Sequence, residues 1–134
     1  MSKYRNRAWR ATGVITALAT AAAIGFVAPA QAQSTAQLSA YVSDGWGGGT
    51  ITSNPAGINC HTSAWDPYAG DSAPYPTGTC TASFPVGTTV HFSATADAGS
   101  HVNIPPDPNP VTIRVGYNYT GVVFCPNDGL CSAG

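Results

Sequence analysis

Apolar and polar residues alternate strictly over residues 37–43, with Leu38, Ala40 and Val42 on one face and Gln37, Ser39, Tyr41 and Ser43 on the other. A period of two marks a half-buried strand. The following Asp44-Gly45-Trp46-Gly47-Gly48 carries the glycines of a hairpin reversal, so residues 49–53 are expected to return beside the first strand. Asn54-Pro55-Ala56-Gly57 then fits a type I turn that delivers Cys60 to a defined place. Residues 79–84 and 88–96 read as a second pair joined by Pro85-Val86-Gly87, in which Val90, Phe92 and Ala94 face the core and Thr89, His91, Ser93 and Thr95 face solvent. Val111, Ile113 and Val115 alternate again, Gly116-Tyr117-Asn118 offers a turn, and residues 119–124 return. The pattern predicts an all-β domain of about six strands in three hairpins, as a small antiparallel sheet or a two-layer sandwich.

Two stretches break the alternation. Residues 61–79 hold three prolines and no periodicity, and read as a long irregular loop. Residues 105–110 hold four prolines, which forbids a central strand and favours a stiff surface connection. Trp46, at the tip of its glycine run, either folds back as a lid on the core or stays exposed for contact; the lid is the favoured expectation.

Residues 1–32 form a separate unit. A basic head (Lys3, Arg5, Arg7, Arg10), an apolar run over about 13–28, and Ala30 and Ala32 flanking Gln31 compose a secretory signal peptide. The apolar run is shorter than the roughly 20 residues of a spanning helix, and Pro29 ends it. Cleavage after Ala32 leaves one small secreted domain, 33–134, expected to be monomeric. That domain retains Arg114 alone against six aspartates, with no Lys and no Glu. Nucleic acid and anionic membrane surfaces are thereby excluded as partners, since both need clustered cations.

All four cysteines, Cys60, Cys80, Cys125 and Cys131, lie in the exported part, where an even count reads as two disulfides. Four cysteines allow three connectivities; nearness in sequence favours Cys60 with Cys80 and Cys125 with Cys131.

The alternating run 38–42, the turn Ser-Asn-Pro-Ala-Gly-Ile-Asn-Cys at 53–60, Cys-Thr-Ala-Ser-Phe-Pro-Val-Gly-Thr-Thr-Val at 80–90, and Val-Thr-Ile at 111–113 together resemble the divergent internalin-type B-repeat domains of bacterial secreted and surface proteins. The likeness spans about residues 37–124. It implies a stand-alone secreted version of a bacterial repeat domain, a structural Cys60–Cys80 disulfide and no catalytic residues to carry over. Two departures stand out. In that family the two cysteines are only a few residues apart, whereas here a long loop intervenes, and a Gly-Trp-x-Gly segment is replaced by the proline run.

Catalytic chemistry finds little support. Every cysteine is expected to be oxidised, and no Gly-x-Ser-x-Gly elbow occurs. His91 reads as a solvated strand residue, and His61 and His101 as loop residues without a partner at a diagnostic spacing. The six aspartates sit at turns or in loops, where Asp serves local backbone hydrogen bonds. His61, Asp66 and Asp71 converging on Ca²⁺ matches no motif, so no metal or other cofactor is expected. The aromatics are more suggestive: Trp65, Tyr68 and Tyr75, with Trp46 nearby, form either the loop's own small core, the weightier expectation, or a binding platform for polysaccharide or an extracellular protein. The function expected is a secreted, non-catalytic binding or surface-structural module, associated with the cell wall or free. A small secreted hydrolase inhibitor is the first alternative, and an enzyme of unrecognised type the second.

Overall fold

The computed structural model describes residues 25, 27–42 and 45–131. The signal segment lies almost wholly outside these, as do Ser43 and Asp44. The folded unit lies within Gln31–Gly134. Its strands are β1 (Thr35–Val42), β2 (Gly49–Asn54), β3 (Asn59–Thr62), β4 (Thr77–Thr79), β5 (Thr81–Pro85), β6 (Thr89–Ala96), β7 (Ser100–Asp107), β8 (Val111–Thr112) and β9 (Asn118–Pro126). They form one sheet of four strands, ordered β5-β1-β9-β7, and one of five, ordered β4-β3-β2-β6-β8.

The inner faces of the two sheets supply one core. Leu38 and Ala40 of β1, Phe84 of β5 and Val122 and Phe124 of β9 meet Ile51 of β2, Val90 and Phe92 of β6 and Val111 of β8, all buried. Each β-face is thus covered by the other sheet, which is what a two-layer sandwich requires. The disulfides join Cys60 to Cys80 and Cys125 to Cys131, with Cα atoms 4.6 Å and 5.4 Å apart.

The strand partners differ from the three hairpins expected. The chain changes sheet between β1 and β2 and at every connection from β4 onward, so none of the three expected hairpins forms. Residues 49–53 do not return beside 37–43, residues 81–84 lie in the opposite layer from 89–96 with Thr79 in β4, and β8 and β9 lie in opposite layers. β1 pairs with β5 antiparallel and with β9 parallel, while β2 pairs with β3 and β6. A tight turn between β2 and β3 does form, held by Ser53: its hydroxyl donates to Pro55 O at 2.8 Å and accepts from Ile58 N at 2.9 Å.

Two asparagines explain how the later crossings close. The buried Asn118 side chain accepts from Arg114 N at 2.9 Å and donates to the carbonyls of Arg114, Gly116 and Gln37 at 2.9, 3.2 and 3.1 Å. This pins a bend that ends β8 at Thr112 and leaves Val115 82% exposed, not part of a returning strand. Asn109, within the proline run, receives Phe92 N and donates to Phe92 O, both at 2.9 Å, so its amide substitutes for a strand neighbour of β6. The first residues of that run, through Asp107, belong to β7 at a sheet edge, where proline is tolerated, and the ladder to β9 shifts register across Pro105 and Pro106, between Ile104 and Asp107.

Candidate functional site

The glycine run lies flat against the end of β9. A Cβ on Gly47 would come within 2.6 Å of the Cys125 backbone, and one on Gly49 within 2.6 Å of the Phe124 ring. Gly47 N donates to Phe124 O at 3.0 Å, and Gly48 N to Ser100 Oγ at 2.9 Å. These glycines serve close backbone approach, where no side chain fits. The one residue here with positive φ is Trp46, at 66°, a region that costs a bulky residue roughly 1–3 kcal/mol.

Trp46 is half-buried and stands outside the core, so the lid expected over the sandwich interior does not form. Its carbonyl accepts Trp65 N at 3.0 Å, which ties the glycine loop to the loop between β3 and β4. The Trp46 ring meets Trp65 at 6.5 Å and 76°, and Tyr68 at 5.7 Å and 90°, both edge to face. Three of the four aromatics singled out from sequence therefore converge. Tyr75 does not join them; it is 92% exposed on the same loop.

Asp66 shapes the loop. Its carboxylate accepts Tyr68 N at 2.8 Å, its carbonyl accepts the N–H groups of Ala69 and Asp71, and its own N–H donates to Asp71 Oδ2 at 3.2 Å. This closed turn presents Trp65 and Tyr68 on one side. The opposite wall comes from the tail ring closed by Cys125–Cys131, through Pro126, Asp128, Gly129 and Leu130. Between them lies an open cleft of about 600 Å³, inside the size range of small-ligand pockets. Its charged residues are Asp66, Asp71 and Asp128. Among the described residues the single Lys or Arg is Arg114, which lines a separate, shallower depression with Pro108, Tyr117 and Tyr119.

His61 and His101 lie on strands rather than in the loops expected. His61 lies on β3, and its Nε2 is 2.8 Å from Asp97 Oδ2, so it pairs across the sheet edge and not with Asp66 or Asp71. His101 lies on β7 with Nδ1 3.1 Å from Asn127 Oδ1. His91 is exposed on β6. Among the described residues no group of three or more His, Cys, Asp or Glu side chains is arranged to hold a metal ion.

A second aromatic surface escaped sequence reasoning. Tyr117 and Tyr119 stack with centroids 5.6 Å apart at 24°, and the hydroxyl of Tyr41 on neighbouring β1 bonds to that of Tyr117. That hydrogen bond holds the Tyr117 phenol above its ordinary pKa. The i, i+2 spacing of Tyr117 and Tyr119 was the available signal, since it sets both on one face.

No family model, curated protein or solved structure matches the chain.

Proposed function

We propose that this protein is an exported, monomeric, non-catalytic binding module, and that it binds polysaccharide in the cleft walled by Trp46, Trp65 and Tyr68. The observation that carries the reading is the placement of these three rings together outside the hydrophobic core, beside carboxylates, in a concavity of about 600 Å³. Aromatic rings left at the surface give up burial, and Trp46 also occupies a strained backbone region. A sugar ring recovers that loss: its C–H face packs on an aromatic face while its hydroxyls reach the carboxylates of Asp66, Asp71 and Asp128. Export is supported by the signal-like segment and by two disulfides, which persist in oxidising compartments. The B-repeat likeness fits the same surface or cell-wall setting.

Sedimentation with insoluble cell-wall polysaccharide is the direct test. Trp65→Ala and Tyr68→Ala are expected to abolish co-sedimentation while leaving the unfolding temperature nearly unchanged, because neither ring belongs to the core. Binding that survives both substitutions would refute the assignment. A second reading, the hydrolase inhibitor, is favoured by Tyr75, which stands almost fully exposed on a loop tied at its base by Cys60–Cys80. Stoichiometric inhibition of an extracellular hydrolase, lost on Tyr75→Ala, would replace the first reading.

A further inference from the structure

The aromatic cleft has a geometry and a charge that narrow its ligand. Flat platforms for neutral sugar faces need rings that are nearly coplanar; here Trp46 stands at 76° to Trp65 and 90° to Tyr68. Perpendicular walls receive a pyranose in two ways at once. Its C–H face lies on one ring, and an equatorial substituent, which projects roughly in the sugar plane, points at the face of the ring set at right angles. A π face attracts a cation and gains little from a hydroxyl. Three carboxylates line the same cleft, and the one Lys or Arg among the described residues, Arg114, lines the other depression.

Resting on the polysaccharide reading, we infer that the ligand is a cationic glycan, a polymer of amino sugars with free, protonated amino groups. The sugar's ammonium sits against an aromatic face and is balanced by carboxylates, of which Asp128 is exposed on the tail ring. The carboxylates of Asp66 and Asp71 already order the loop turn by each accepting one backbone N–H, and a carboxylate retains further acceptor positions after one such bond. The cleft volume of about 600 Å³ exceeds what a lone ammonium head would fill, which favours a sugar unit carrying the charge. Polyanionic glycans are repelled by the same carboxylates.

The test is a fluorescence titration of the full chain, expressed with export and recovered from the medium. The probes are a glucosamine tetramer, its fully N-acetylated counterpart and an oligolysine of equal charge. Trp46 and Trp65 both line the cleft, so the emission change reports on it directly. The glucosamine tetramer is expected to bind about tenfold more tightly than the acetylated one at low ionic strength, the scale that three exposed charge pairs supply together. The advantage shrinks as salt is added. Asp128→Asn is expected to weaken the glucosamine tetramer about two- to threefold and leave the acetylated one unchanged. Equal affinity for the two tetramers would overturn the cationic-glycan inference and leave the polysaccharide reading standing. Oligolysine binding as tightly as the glucosamine tetramer would overturn it too, by showing attraction to charge alone. Failure of both tetramers to bind would refute both readings.

Discussion

The two disulfides are expected to separate stability from binding. Cys60–Cys80 closes a span of 20 residues and Cys125–Cys131 one of 6. On the chain-entropy estimate the first closure stabilises by about 3 kcal/mol and the second by about 2 kcal/mol. Cys60 and Cys125 are both buried, so replacing each pair by alanine leaves similar cavities and buries no hydroxyl, and the comparison reduces to chain entropy. A gap of about 1 kcal/mol corresponds to about 4–8 °C in a domain of this size. The smaller effect should shrink further, because the tail beyond Asn127 can leave its place in the folded protein once Cys131 is released. The closure term of about 2 kcal/mol then moves from folding to binding, since the ligand must re-order Asp128 and Leu130, and affinity falls by about tenfold or more. Thermal unfolding followed by circular dichroism measures the first quantity, and titration of the cleft tryptophans the second. The Cys60→Ala, Cys80→Ala variant should melt lower, and the Cys125→Ala, Cys131→Ala variant should bind worse. Equal melting temperatures, or wild-type affinity in the tail variant, would refute the reasoning.

Asn118→Ala removes a buried side chain that makes four hydrogen bonds, three within the bend and one to the Gln37 carbonyl of β1, and should destabilise by about 3 kcal/mol or more, measured by urea unfolding. Tyr117 is expected to titrate above 10.0 because its protonated form is held by Tyr41. A raised value in the folded state means that the associated stability is complete below the ordinary tyrosine range and is lost as pH rises through the raised value. Phenolate absorbance should show one late-titrating tyrosine that moves back toward the ordinary value in Tyr41→Phe.

Faces were legible in the sequence where partners were not. Leu38, Ala40, Val90 and Phe92 are buried as their alternation requires, because a period of two settles which side chains point together whatever the strand lies beside. The same pattern is silent on whether a turn returns to its own sheet or crosses to the other. Pro85-Val86-Gly87 reads equally well as a hairpin tip or a crossover, and the choice is made by contacts distant in the chain, such as Leu38 against Ala82 on one side and Asn118 on the other. β7 was hidden for a related reason. Its prolines argue only against a central strand, and at the edge position it occupies the ladder tolerates the register shift they cause.

The cleft shows how one local feature can carry two physical meanings. A run of glycines signals either a backbone that must turn with positive φ or a backbone that must approach another closely. In the segment 45–49 the glycines meet the second need: a Cβ on Gly47 or Gly49 would collide with Phe124 or Cys125, and the positive φ falls on Trp46. This inverts the expectation for Trp46. Pressed flat against β9 on both sides, the loop leaves its one large side chain no route into the core, so the indole projects where Trp65 and Tyr68 arrive from the loop tied by Cys60–Cys80. The convergence depends on three segments distant in sequence, two of them anchored by disulfides. Each was visible alone, and it is β9, supplying both the surface under the glycines and Cys125 at the base of the opposite wall, that brings them to one place.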